Sequence, residues 1–140
     1  MEKKSVVVCD DNPTLLFLMK QIFSKRGFRV WSACDGAQGL SLVRTVRPDF
    51  LLLDLEMPET DGMDVLEALR TLDGKKPYTF VLSAYEGAAR RERAKELGAE
   101  EVWSKPFNAY ELTARILSLS STDAPDLAGS VVGEHERAVG

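Results

Sequence analysis

The sequence predicts a doubly wound α/β fold, with a five-stranded parallel sheet flanked by helices on both faces. Three observations lead there. Five short apolar or β-branched runs alternate with five segments of helical periodicity, the pattern of repeated βα units. The central run, Phe50-Leu51-Leu52-Leu53, shows no polar alternation, as expected of a strand covered on both faces. Most of the runs end on chemistry rather than on another apolar residue: Asp10-Asp11, Asp54, Ser83 and Lys105. In one parallel sheet the carboxyl ends of the strands share one edge, where open α/β sheets place their ligand crevice.

Ser5-Val6-Val7-Val8-Cys9 reads as the first buried strand. Asn12 then caps a helix that has Pro13 at its first position, and Leu15, Leu16, Leu18, Met19, Ile22 and Phe23 form its apolar face up to Gly27. Phe28 to Cys34 alternates loosely, as a second strand does. Asp35 with Gln38 makes a capping box, opening a helix through Leu40, Leu42, Val43 and Val46 that stops before Pro48. After the central strand, Glu59-Thr60-Asp61-Gly62 reads as a turn, and Met63, Val65, Leu66 and Leu69 mark a helix from Gly62 to Leu72.

Asp73 to Pro77 is a turn, and Tyr78 to Ser83 is a fourth buried strand. Ala88 to Leu97 is rich in Arg, Glu, Lys and Ala, so its thin apolar stripe predicts weak contact with the core. Val102-Trp103-Ser104 is a short fifth strand. Asn108 with Glu111 opens the last helix, which buries Leu112, Ile116, Leu117 and Leu119. From Ser120 onward periodicity is lost, which divides the chain into an ordered domain, 1–119, and a mobile tail, 120–140.

At 140 residues the chain fits one domain, and 44% hydrophobic with 29% charged residues is ordinary for a globular protein. A formal charge of -4 gives no basic footprint, which argues against direct nucleic-acid binding. No apolar run is long enough to cross a bilayer, and Met1-Glu2-Lys3-Lys4 does not lead into a signal-peptide hydrophobic region, so a cytoplasmic location is expected. Cys9 and Cys34 are too few for a disulfide scaffold and lack metal-site spacing. Both are expected to be buried, reduced thiols.

Asp10, Asp11 and Asp54 in one crevice repel one another unless a cation is present. An all-oxygen set suits Mg²⁺, with Mn²⁺ as the second choice, and His135 is alone in the tail, which disfavours zinc. Lys105 brings a point charge and Ser83 a hydroxyl donor, both suited to the oxygens of a phosphoryl group. Asp54 then fits as the acceptor, because a carboxylate can attack phosphorus to give an aspartyl phosphate.

With these residues in this order, the chain resembles the receiver domain of two-component response regulators, a CheY-like, flavodoxin-like (βα)5 fold. The motifs are Asp10-Asp11 after the first strand, Asp54 before Met57-Pro58 and Asp61-Gly62, Ser83-Ala84, and Lys105-Pro106-Phe107. The resemblance runs from about Lys4 to Leu119 and implies a strand order of 2-1-3-4-5. It also implies that Asp54 takes a phosphoryl group from a histidine kinase or histidine phosphotransfer protein. Asp11 then resembles a direct Mg²⁺ ligand, Asp10 an acid acting mostly through a water on the metal, and the Glu56 backbone carbonyl a further ligand. Ser83 and Lys105 resemble the phosphate-contacting pair, and Lys105-Pro106 the family's cis peptide. The implied output surface is the fourth helix, fifth strand and fifth helix, which would meet an effector protein or a second copy of the chain.

Two positions depart from the family pattern. Val102 stands where receivers commonly carry Tyr or Phe, so the signal is expected to pass through the Ser83-Ala84-Tyr85 loop and the polar helix after it. Glu56, two residues past Asp54, is expected to repel an anionic donor and to help hold the metal, with Tyr85 screening the phosphoryl group. Two rival readings remain. One is a metal-dependent aspartyl-phosphate phosphohydrolase, for which Glu56 has the right offset as a second acid. The other is a degenerate receiver acting as a phosphorylation-independent interaction module. Asp35 and Asp61 are read as cap or turn residues, Trp31 and Phe107 as packing, and Arg90-Arg91-Glu92-Arg93 as a solvated face.

Overall fold

In the computed structural model, which describes residues 3–84 and 87–120, the five expected strands and five expected helices all form. They are β1 (Ser5–Cys9), α1 (Pro13–Lys25), β2 (Arg29–Ala33), α2 (Gly36–Val46), β3 (Phe50–Asp54), α3 (Gly62–Arg70), β4 (Tyr78–Ser83), α4 (Ala88–Glu96), β5 (Glu101–Ser104) and α5 (Ala109–Ser120). Local chemistry sets the helix starts. The Asn12 side chain accepts the amide protons of Thr14 and Leu15 ahead of Pro13, and the Asp35 side chain accepts that of Gln38. Gln38 Oε1 returns the contact by accepting the Cys34 amide at 3.1 Å.

The strands pair in parallel in the order β2-β1-β3-β4-β5. Register is what matters for the site. Cys9 pairs with Leu53, Asp54 with Leu82, and Ser83 with Ser104. Asp10 and Asp54 therefore reach the edge at one level, Ser83 one residue beyond them and Lys105 two.

Each sheet face carries its own core, because side chains alternate along a strand. One face sets Val7, Leu51, Leu53 and Val81 against Val43 of α2, Leu66 and Leu69 of α3 and Ala94 of α4. The other sets Val6, Val8, Leu52 and Phe80 against Met19 and Phe23 of α1 and Leu112 and Ile116 of α5. Trp103 is in this second core, 6.4 Å from the Phe80 ring. Trp31 and Phe107 are half-buried packing residues, as expected. Helix α4 is indeed thinly attached. Ala94 is the one buried residue of its nine, and Arg91 adds a tie to β5 through Ser104 Oγ at 2.8 Å.

Four expectations are corrected. The segment after β3 is more than a turn: Glu56–Met57 and Thr60–Asp61 form a small antiparallel hairpin. Pro58 followed by Glu59 at φ 66 supplies the tight reversal, a combination typical of type II turns. Cys34 is exposed rather than buried, because it lies just past β2, an edge strand that buries only Ala33. Leu18 is 41% exposed, since it falls off the stripe formed by Leu15, Met19, Ile22 and Phe23. Helix α5 includes Ser120, whose hydroxyl donates to the Leu117 carbonyl at 3.0 Å, while the remainder of the expected tail lies outside the described residues.

Candidate functional site

The site begins where β3 stops. Leu51, Leu52 and Leu53 bury the strand on both faces, and Asp54, 1% exposed, is carried to the rim by the same register. The chain then has to leave the sheet at once, and Gly62 makes room for it. A Cβ at Gly62 would lie 2.7 Å from Leu55 Cα and 2.8 Å from the Asp54 carbonyl oxygen, so α3 can start directly against the β3 exit only without a side chain there.

Asp54 Oδ1 accepts the Glu56 amide at 3.0 Å, and Asp54 Oδ2 lies 3.3 Å from Lys105 Nζ. Asp10 enters from β1, fully buried. Its Oδ1 accepts the Asn12 amide at 2.9 Å, and its Oδ2 pairs with Lys105 Nζ at 2.9 Å. Asp11 is exposed at the mouth, and one carboxylate oxygen from each of Asp10, Asp11 and Asp54 lies within 4.8 Å of the others. One lysine thus faces two buried carboxylates, with a third acid at the opening.

Electrostatics follow from that count. Burial raises the Asp54 carboxyl first, Asp10 adds to it, and the Glu56 amide and Lys105 only partly oppose them, leaving its pKa pushed up to about 6. Burial alone pulls the Lys105 ammonium down, but the hydrogen bond and charge of Asp10, with Asp54 behind, carry its pKa above the ordinary value. The cluster offers hard oxygen donors with an unbalanced negative charge, which fits Mg²⁺ or Mn²⁺ and not a soft metal.

Ser83 is buried at the end of β4 beside this cluster, and Lys105-Pro106 is a cis peptide, as the resemblance implied. Glu56 departs from expectation. Its carboxylate is absent from the acid cluster and turns to the β4 end instead. Oε2 accepts the Ser83 hydroxyl at 2.7 Å and Oε1 accepts the Ala84 amide at 2.8 Å. Arg90 of α4 stands behind it, with Nε 3.5 Å from Glu56 Oε2 and a terminal nitrogen 3.3 Å from Asp61 Oδ1. Arg90 is a site group that reading the sequence did not pick out, since the Arg90-Arg91 run looks solvated by composition alone; Ala84 belongs to the Ser83-Ala84 motif, but the bond its amide donates to Glu56 is visible only in the structure. Val102 is 1% exposed within the first core, so no aromatic occupies its position. Tyr85 lies outside the described residues.

The family model for the response regulator receiver domain matches residues 6–117. Sporulation initiation phosphotransferase F of Bacillus subtilis is 30% identical over 112 residues, 80% of this chain and 90% of that protein. Transcriptional regulatory protein PrrA of Mycobacterium tuberculosis is 39% identical over 114 residues, 81% of this chain but 48% of that protein. The chain therefore spans about half the length of PrrA. Among solved structures, the Francisella response regulator 1452 receiver domain matches with a TM-score of 0.76 at 29% identity, covering 84% of this chain and 96% of that one. A receiver domain from Bermanella marisrubri matches with a TM-score of 0.77 at 27% identity, covering 86% and 100%. The chain belongs to the response regulator receiver domain family of two-component systems, a family of signalling domains.

Proposed function

We propose that Asp54 is the phosphoacceptor of this receiver and that Asp10, Asp11, Asp54 and the Glu56 backbone carbonyl hold Mg²⁺, with Mn²⁺ able to replace it. The observation that carries this reading is the placement of Lys105 Nζ against both Asp10 and Asp54 at the rim where Ser83 also ends. With phosphohistidine as donor, an Asp54 oxygen forms the new bond to phosphorus while the P–N bond breaks, and its electron pair stays on the imidazole. The protein's part is mainly positioning and charge neutralisation. Bound Mg²⁺ would supply positive charge to the phosphoryl oxygens. Lys105, already aimed at Asp54, pairs with one such oxygen, and the Ser83 hydroxyl donates to another.

On this reading the chain promotes its own phosphorylation and hydrolysis, receives the group from a histidine kinase or phosphotransfer protein, and works in the cytoplasm. Among the described residues no helix is long and apolar enough to cross a membrane. Residues 1–119 form the receiver unit and 120–140 serve as a tail or linker. Output passes through the α4–β5–α5 face to an effector or a second copy. The small-molecule donor acetyl phosphate tests the reading. Intact-mass measurement shows one Mg²⁺-dependent phosphoryl adduct on wild type and none on Asp54→Asn. Wild type without an adduct leaves the degenerate receiver standing.

A further inference from the structure

Ser83 Oγ and the Ala84 amide each have a single proton to give, and both already give it to Glu56. These are the donors at the end of β4 that face the rim where Asp54 and Lys105 meet. A phosphoryl oxygen and the Glu56 carboxylate cannot use them together, and both are anionic. Arg90 reinforces the seated position, because its Nε approaches the same Oε2 that accepts from Ser83. The same guanidinium holds Asp61, which pairs with Glu56 across the small hairpin, so one side chain of α4 grips both strands of the loop that follows β3. Since α4 buries only Ala94, this contact joins the Arg91 bonds to Ser104 and Val102 of β5 among the polar ties that hold the helix.

We propose that the Glu56 carboxylate is a resident competitor for the phosphoryl subsite, latched in place by Arg90, and that a phosphoryl group entering the site expels it and frees α4 from that latch. The proposal rests on Asp54 being the acceptor and names the regulation of that same site. Its physical content is a two-state side chain. With Glu56 seated the anion subsite is closed, and with Glu56 out Ser83 and Ala84 are available. The apparent affinity for an anion is then the intrinsic one reduced by the fraction of open molecules, about tenfold if one molecule in ten is open. Arg90 makes the mechanism distinctive. A nearby cation ordinarily favours anion binding, whereas a cation that latches a competing carboxylate opposes it.

The test is titration of wild type, Glu56→Ala, Arg90→Ala and the double variant with beryllofluoride in saturating Mg²⁺, followed by amide NMR. Glu56→Ala is expected to bind about tenfold tighter or more. Arg90→Ala is expected to bind tighter than wild type despite losing a positive charge, and to add nothing in the Glu56→Ala background. In metal-free, anion-free protein the Ala84 amide resonance should already move on Glu56→Ala, reporting the lost hydrogen bond. Equal affinities for wild type and Glu56→Ala, or an unmoved Ala84 resonance, overturn the proposal while leaving Asp54 as acceptor. Failure of all four proteins to bind beryllofluoride overturns the acceptor assignment itself and this proposal with it.

Discussion

Asp10 and Lys105 stand 95 positions apart in sequence and are joined by a 2.9 Å contact between a fully buried carboxylate and an ammonium that is 24% exposed. The pair closes β1 against the chain leaving β5 and so spans the sheet over its carboxyl edge. Deleting the cation leaves Asp10 buried and facing Asp54. Lys105→Ala is therefore expected to destabilise the metal-free protein by about 3–5 kcal/mol in urea unfolding, the usual cost of orphaning one partner of a buried pair. Lys105→Arg should recover part of that loss.

Asp54 should cost stability at neutral pH. Its folded pKa, about 6, lies above the ordinary 3.8, so the folded state holds the proton more tightly than the unfolded one. Stability therefore rises as pH falls through 6, and the penalty is complete above it. The gap corresponds to about 3 kcal/mol at most. Asp54→Asn should exceed wild type by up to that amount at pH 7.5 without metal, and by only about 1 kcal/mol at pH 4.5. Urea midpoints at the two pH values check the sign.

Mg²⁺ should act on stability as well as on chemistry. A ligand at ten times its dissociation constant stabilises the folded state by about 1.4 kcal/mol. Wild type is expected to gain this in a thermal melt and lose it on addition of EDTA. Asp11→Asn, at the exposed corner of the acid cluster, should fold normally yet need much more Mg²⁺ for the same gain.

Far from the rim, Glu101 and Arg115 form a second buried pair. Arg115 contacts Glu101 Oε2 through Nε and a terminal nitrogen, each at 2.7 Å, while Tyr78 and the Trp103 indole donate to the same carboxylate. Both side chains are 1% exposed. Arg115→Met is expected to cost about 3–5 kcal/mol by leaving Glu101 uncompensated, and Glu101→Gln combined with it should return much of that. Chemical denaturation of the single and double variants decides it.

Much of this was legible from residue order. Asn12-Pro13 announced α1, the unbroken Phe50–Leu53 run announced a central strand, and parallel topology alone gathered Asp10, Asp54, Ser83 and Lys105 at one edge. What escaped depends on side-chain direction. Glu56 was read as a helper for the metal, but its carboxylate points at Ser83 and Ala84, a choice of rotamer that no spacing encodes. Arg90 and Arg91 are adjacent and look alike in sequence, yet they sit about 100° apart on the helix, so one reaches Glu56 and the other β5. Glu101 opens a short strand, where an acid ordinarily reads as solvated. Its burial follows from Arg115, which is supplied by α5 fourteen residues later.

The two cysteines have opposite fates. Cys9 is sealed in the core, and burial, with Asp10 next in effect, pushes its thiol up to about 12, so it carries essentially no thiolate at neutral pH. Cys34 lies in the open at the end of β2, on the same side of the sheet as the acid cluster. A maleimide dye will therefore attach at one known point without mutagenesis, giving a spectroscopic reporter close to where occupancy changes.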